Sequence, residues 1–457
     1  MELRFGLVAL VFLGAAAAGC GDVTEDPRAD AGASSGSTEG SGASAGSSGG
    51  AGGTEACNTL AVDGSPLDVV TEPGQQAGRP RLVAIPGTDQ VALVYARGPW
   101  DEDSGVAPIG AIEHVVFRPW SAWPSDLGAS QQLSPWGGAH FLAAGTSDGQ
   151  LALLFPLQTS VKEPASSTIW RLAPRVPPGV ATADADYPSP LVDLSSLSPV
   201  GRPAFLHAHG ADLVAGIQDA TSGVVSVARI DAGDAVTPAG SIACPEAVGV
   251  SVESTPWQVE PTRLASGDLL LGYACAPSGS PVGVARLGAD GLTDAGLVDG
   301  LDNQGAANVV ARPQGGAWMI SRTASGVYAD VWSTALDADG ASPSTPVRFG
   351  VVDTYAANTA RIPVTALDGR LLLVAMIDAH VEGSRIGLWL SADATHDPAE
   401  AVVDLTGPGV GGSPTELEVL AAADGRSMLV AWSQKDSVGA GGTFRERVRV
   451  ARVSCAP

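Results

Sequence analysis

The sequence predicts an all-β fold: a seven-bladed β-propeller with about four strands per blade, its ring closed by an N-terminal strand. Three observations carry this prediction. A short strand, a tight turn and a strongly apolar strand recur seven times along the chain, with a period of about 50–60 residues, and fixed-period units of four short strands mark a propeller. No amphipathic helical pattern interrupts the repeats. Finally, the chain closes on "RVRVARVSCAP" at Arg447–Pro457, a strand after which the last unit stops one strand short.

The apolar strands are "VALVYARG" from Val91, "LALLFPLQT" from Leu151, "DLVAGIQD" from Asp212, "DLLLGYACA" from Asp268, "GAWMISRTA" from Gly316, "RLLLVAMID" from Arg370 and "RSMLVAWSQ" from Arg426. The turns ahead of them hold Gly, Asp or Asn, residues that tolerate the positive φ of tight hairpins. Runs such as Leu269–Leu271 and Leu371–Leu373 are apolar on successive residues, as expected of strands buried on both faces. Third strands such as "VVSVARIDAGDAV" and "YADVWSTALDADGA" follow most of them, and weaker fourth strands follow in the interior units.

The strand missing at the C-terminus has a counterpart at the start of the body. "NTLAVDGSPLDVV" at Asn58–Val70 stands alone ahead of the first full unit. Added to the last blade, it would leave no open edge. Cys57 and Cys455 flank these two strands, so the expected lock is a Cys57–Cys455 disulfide. Cys244 then pairs with Cys275 by elimination, since an even number of cysteines in an exported chain reads as disulfides. No C-x-x-C pair and no His at ligand spacing suggests zinc.

Ahead of the body, "MELRFGLVALVFLGAAAAGC" has one cation, Arg4, before an apolar run from Phe5 to Ala18. That is the form of an export signal, residues 1–19, too short for a membrane span. "AAGC" at Ala17–Cys20 resembles the lipobox of bacterial lipoproteins. The resemblance implies acylation of Cys20 and, with Gly21 following, sorting to the outer membrane. Residues 20–56 are dominated by Gly, Ser and Ala and have too little apolar surface to order, so they read as a flexible tether of roughly 35 Å reach. Residues 57–457 form the propeller domain.

The formal net charge is −24, and Lys162 and Lys435 are the only lysines. Such a body repels nucleic acid. The expected partners are the membrane, through the N-terminal lipid, and envelope proteins or carbohydrate, with the chain a monomer. No cofactor and no metal is expected: "LDADGA" at Leu336–Ala341 and "TADADYP" at Thr182–Pro188 lack the ligands of a calcium loop and read as turns. No nucleophile elbow or phosphate loop is present, and no catalytic residue is assigned.

Two constellations are candidates for binding. Arg79, His140, Arg202, Arg263, Arg361 and Glu416 are placed where innermost strands begin, at the mouth of the channel, where grouped cations would receive an anion. Trp100, Trp120, Trp123 and Trp136 crowd one stretch around an acidic loop, and indoles suit sugar or peptide recognition. "GRPRLVAIPGTDQVALVYARG" at Gly78–Gly98 is similar to the first-blade segment of sialidases, whose arginine there holds the substrate carboxylate; Arg79 is the match. "ARIPV" at Ala360–Val364 contains that family's tripeptide in a late blade. "LWLSADATHDPAE" at Leu388–Glu400 resembles an Asp-box, of which Ser391 and Asp393 remain. The expected function is a cell-envelope lipoprotein whose propeller serves as a binding or scaffold module; the alternative is a sialidase-like carbohydrate-active enzyme.

Overall fold

The computed structural model describes residues 57–456, apart from internal stretches that include 100–111, 134–140, 158–165, 173–191, 244–257, 275–281, 354–363, 378–384 and 392–404. The export signal, Cys20 and the tether lie outside the described residues, as do Cys244 and Cys275.

The body is an all-β propeller. Two short strands, β1 (Leu60–Val62) and β2 (Leu67–Asp68), come first. Four-strand sheets follow: β3 (Gln75–Ala84), β4 (Gln90–Pro99), β5 (Ile112–Pro119) and β6 (Gln131–Gln132); then β7 (Leu142–Gly145), β8 (Leu151–Leu157), β9 (Ser166–Leu172) and β10 (Val192–Asp193). The third is β11 (Gly201–His209), β12 (Asp212–Asp219), β13 (Val225–Ile230) and β14 (Val236–Ile242). The fourth is β15 (Gln258–Arg263), β16 (Leu269–Ala274), β17 (Val282–Gly288) and β18 (Gly291–Leu297). The fifth is β19 (Gln304–Ala311), β20 (Ala317–Ser325), β21 (Tyr328–Leu336) and β22 (Val347–Asp353). The sixth has three described strands, β23 (Val364–Leu367), β24 (Arg370–Ile377) and β25 (Arg385–Ser391). In the last, β26 (Ser413–Ala421), β27 (Ser427–Val438) and β28 (Thr443–Cys455) are joined by β1 and β2, both antiparallel to β28.

Apart from β1 and β2 against β28, each sheet is a meander, so neighbouring strands are close in sequence and the hairpin turns decide the register. The β7–β8 turn shows the chemistry. Gly149 takes φ 80° and donates its N–H to Thr146 O at 3.0 Å, a backbone region that costs Gly nothing. Thr146 Oγ1 accepts from the Gln150 N–H at 3.0 Å, closing the turn from the side chain.

Among the described residues, second strands such as β4, β12 and β16 are buried on both faces. All six residues of β16 are buried, which is why its sequence does not alternate. Buried clusters form between neighbouring sheets. One joins Leu93 and Tyr95 of the first sheet to Leu429, Ala431, Val448 and Val450 of the last. Another joins Leu372, Val374 and Ile386 of the sixth to Met428, Val430 and Trp432 of the last. The innermost strands touch in succession from β3 through β7, β11, β15, β19 and β23 to β26, and β26 also packs on β3.

A disulfide joins Cys57 to Cys455, with Cα atoms 5.2 Å apart. Leu60 pairs with Cys455 and Val62 with Val453 beside it. Cys57 is fully buried. Its N–H donates to Asp368 Oδ2 at 2.7 Å, and its carbonyl accepts from Arg370 Nη1 at 2.8 Å. The turn between β23 and β24 therefore holds the same residue that the disulfide holds. Among the described residues no helix is long and apolar enough to cross a membrane.

Candidate functional site

The innermost strands of the first and last sheets carry matching irregularities. In β3 the pairing with β4 shifts between Gly78 and Arg81; in β26 the pairing with β27 shifts between Thr415 and Leu417. Arg79 and Glu416 occupy these bulges with φ 58° and 49°. Both stand the same number of residues before the hairpin ends of their strands, Ala84 and Ala421. A left-handed non-glycine residue costs of order 1–3 kcal/mol and persists where its surroundings enforce it. Here the enforcement is visible, since the Arg79 N–H donates to Ser433 Oγ of β27 at 2.9 Å.

The bulges aim two side chains at one another. Arg79 Nε lies 4.0 Å from Glu416 Oε1, with the side chains 44% and 38% exposed. Ser433 Oγ donates to Glu416 Oε2 at 3.3 Å. One step along, Arg81 Nη1 meets Glu418 Oε2 at 3.1 Å. Beneath Arg79 lies Glu446 of β28, 9% exposed. It rests on the backbone of Gly78, where a Cβ would stand 2.9 Å from Glu446 Cδ; no residue larger than Gly fits without displacing the carboxyl. Burial raises the Glu446 carboxyl above its ordinary range, and the Glu416 charge adds to this, opposed by Lys435, Arg79 and a hydrogen bond with Ser433.

A second polar group lies at the adjoining ends of β4 and β5. Tyr95 and His114 are register partners, stacked with ring centroids 5.9 Å apart. His114 Nδ1 is 3.0 Å from Ser130 Oγ. Burial, with a lesser push from Arg97, lowers His114 to about 4, leaving a neutral imidazole. Burial also raises the Tyr95 phenol, so it stays protonated. Arg97 pairs with Glu72 at 3.2 Å.

Of the six residues expected to open the channel, the structure brings together Arg79 and Glu416. Arg202 is the second residue of β11, opposite Gln218. Arg263 corrects the expectation: it is the last residue of β15, paired with Leu269 beside the hairpin turn. β15 begins at Gln258. His140 and Arg361 lie outside the described residues.

Two of the four tryptophans, Trp120 and Trp123, lie among the described residues. Trp123 is 3% exposed and packs in the cluster between the first and last sheets, with Trp120 against it. The Trp120 N–H donates to Asp89 O at 2.7 Å in the β3–β4 turn, away from the bulge at Arg79. Trp123 is thus a core residue, filling the wedge between sheets. Trp100, Trp136 and Asp393 lie outside the described residues, and Ser391 ends β25. Among the described residues no group of three His, Cys, Asp or Glu could hold a metal.

Ser433 and Glu446 were absent from the sequence-based candidates, although Glu446 carried a signal. In "RERVRVARV" it shares the phase of Val448 and Val450, which are fully buried. A carboxylate on the inward phase of a strand is an exception that calls for a reason.

No protein-family model and no curated protein matches the sequence. Among solved structures, the chain is similar to a protein of unknown function from Dyadobacter fermentans, at 14% identity and a TM-score of 0.46 over 87% of this chain and 100% of that one. It is also similar to the polysaccharide lyase Uly1, at 12% identity and a TM-score of 0.47 over 83% of this chain and 90% of that one. An α-L-arabinanase from Penicillium chrysogenum matches at 12% identity and a TM-score of 0.35 over 86% and 97%. These are weak resemblances in fold to lyase and glycoside hydrolase structures.

Proposed function

We propose that the protein is a cell-envelope binding module. A lipid on Cys20 holds it to the outer membrane and residues 20–56 tether it. The body is a seven-bladed ring that β1 and β2 complete on the last sheet, and the end of the ring carrying Arg79 and Glu416 takes a carbohydrate. Support for the ring comes from the seven sheets and from β26 packing on β3.

The observation that carries the binding reading is the pair of left-handed bulges setting Arg79 against Glu416 on adjacent inner strands. The Glu416 carboxylate beside Arg79 offsets its charge, so a free anion gains little there. A neutral ligand rich in hydroxyls can use both kinds of group, giving protons to carboxylate oxygens and accepting them from the guanidinium. The enzymatic alternative has less support. A sialidase-like site needs several arginines converging on one carboxylate, and Arg79 faces Glu416 while Arg263 stands at the turn end of its strand.

The Arg79 pair and the disulfide stand near opposite ends of β28. Nine residues of β28 separate Glu446 from Cys455, about 30 Å at ~3.3 Å per residue. Calorimetric titration of the full chain with neutral xylo- and manno-oligosaccharides and acidic oligogalacturonides tests the proposal. Binding of a neutral sugar, weakened about tenfold or more in Arg79→Ala, is expected. No heat with any of these sugars would contradict it.

A further inference from the structure

We propose that Ser433 positions the candidate binding site, a role that rests on the carbohydrate reading above: its one hydroxyl holds both left-handed residues, so that Arg79 and Glu416 face each other as a unit. Ser433 is fully buried. It stands two residues beyond Ala431 on β27, in the row that Leu429 and Ala431 turn toward the first sheet. A hydroxyl in such an apolar row calls for partners. Its oxygen accepts the Arg79 N–H at 2.9 Å, and its hydrogen goes to Glu416 Oε2 at 3.3 Å. With one hydrogen and two lone pairs, a hydroxyl can make both bonds at once. One bond reaches the backbone of the neighbouring sheet, and the other a side chain on the inner strand of its own sheet.

Bulging alone does not produce the two left-handed residues. A bulge can leave its extra residue near the right-handed helical region, and β11 shows a bulge without strain. Its pairing with β12 shifts between Pro203 and Phe205, yet Ala204 does not take a positive φ. In β3 and β26 the shifts are accompanied by φ 58° at Arg79 and 49° at Glu416, and these are the two residues that Ser433 holds. Arg79 has no register partner on β4, so the bulge frees its N–H and the Ser433 oxygen takes it up. A left-handed residue with a Cβ persists only where its surroundings enforce it. Without the hydroxyl, the Arg79 N–H loses this acceptor and the Glu416 carboxylate loses this donor. The guanidinium and the carboxylate then move independently, and a sugar must order both as it binds. Holding them in place beforehand removes that cost.

The test compares the full chain with Ser433→Ala, which removes one oxygen, and Ser433→Thr, which keeps the hydroxyl. The first readout needs no sugar: nuclear magnetic resonance of the Arg79 amide, whose exchange rate reports the bond to Ser433 and whose coupling to Hα reports φ. In Ser433→Ala the amide should exchange about tenfold faster or more, and the coupling should shift to that of extended backbone; Ser433→Thr should match wild type in both. The second readout is titration with the neutral xylo- and manno-oligosaccharides. Ser433→Ala should bind about tenfold more weakly, although Arg79 and Glu416 are intact, and Ser433→Thr should recover the affinity. The double variant with Arg79→Ala should bind no worse than Arg79→Ala alone, because Ser433 acts through Arg79. An Arg79 amide and coupling unmoved in Ser433→Ala would overturn the proposal, and so would a moved amide with wild-type affinity. If wild type itself bound none of these sugars, the carbohydrate reading would fail, and the amide readout would still decide whether Ser433 holds the bulges.

Discussion

The two ends of β28 serve opposite purposes. At its C-terminal end polar groups around Cys455 and Cys57 join distant segments of the chain. The disulfide, the Asp368 and Arg370 bonds to the Cys57 backbone, and the Cys455 N–H donated to Arg426 O at 2.9 Å all tie the chain start to two sheets. At the other end Glu446, Glu416 and Arg79 are held in bulges and close approaches, and two of the three reach solvent. One end carries the disulfide. The other keeps charged groups in costly positions, and the proposed binding site rests on that asymmetry.

The comparison breaks most readily at the closed end. Cys57→Ser removes the cross-link over a separation of 398 residues. A loss of about 2–5 kcal/mol is expected, read by denaturant unfolding; stability unchanged from wild type would show that the strand pairing alone closes the body. Next is Gly78→Val, which drives a side chain into Glu446 where even a Cβ is 2.9 Å away. Overpacking of about 1–3 kcal/mol should follow, smaller in the double variant with Glu446→Ala. A loss unaffected by the second change would remove Glu446 from contact with Gly78.

Asp368→Ala strips the acceptor from the buried Cys57 N–H. An unmet donor costs about 1–3 kcal/mol, and amide exchange at Cys57 should quicken. The smallest effect is expected at the open end. Arg79→Ala loses a partly exposed ion pair with Glu416, worth about 0–1 kcal/mol, so its unfolding midpoint should stay close to wild type.

Much of this architecture was legible in the residues. Seven apolar strands behind Gly- and Asp-containing turns gave the sheets, because turn chemistry and two-faced burial are local properties. The orphan strand at Asn58–Val70 and the C-terminal strand ending at Cys455 pointed to each other, because an open edge demands a partner. Bulges were not legible. A shift of register at Arg79 or Glu416 depends on what the neighbouring sheet presents, in this case Ser433, some 350 positions away in sequence. The turn-end position of Arg263 was not legible for a related reason: only pairing with Leu269 shows where β15 ends. The burial of Trp123 was not legible, because a wedge between sheets and a sugar platform use the same side chain.

The most direct test measures unfolding free energy and oligosaccharide affinity together on Cys57→Ser and Arg79→Ala. The account predicts a crossed pattern: Cys57→Ser loses stability and binds the sugar as wild type does, while Arg79→Ala keeps its stability and loses the sugar. If both variants moved both quantities in parallel, the two ends of the seam would not be separate in function, and the assignment of the Arg79 end as the binding site would be wrong.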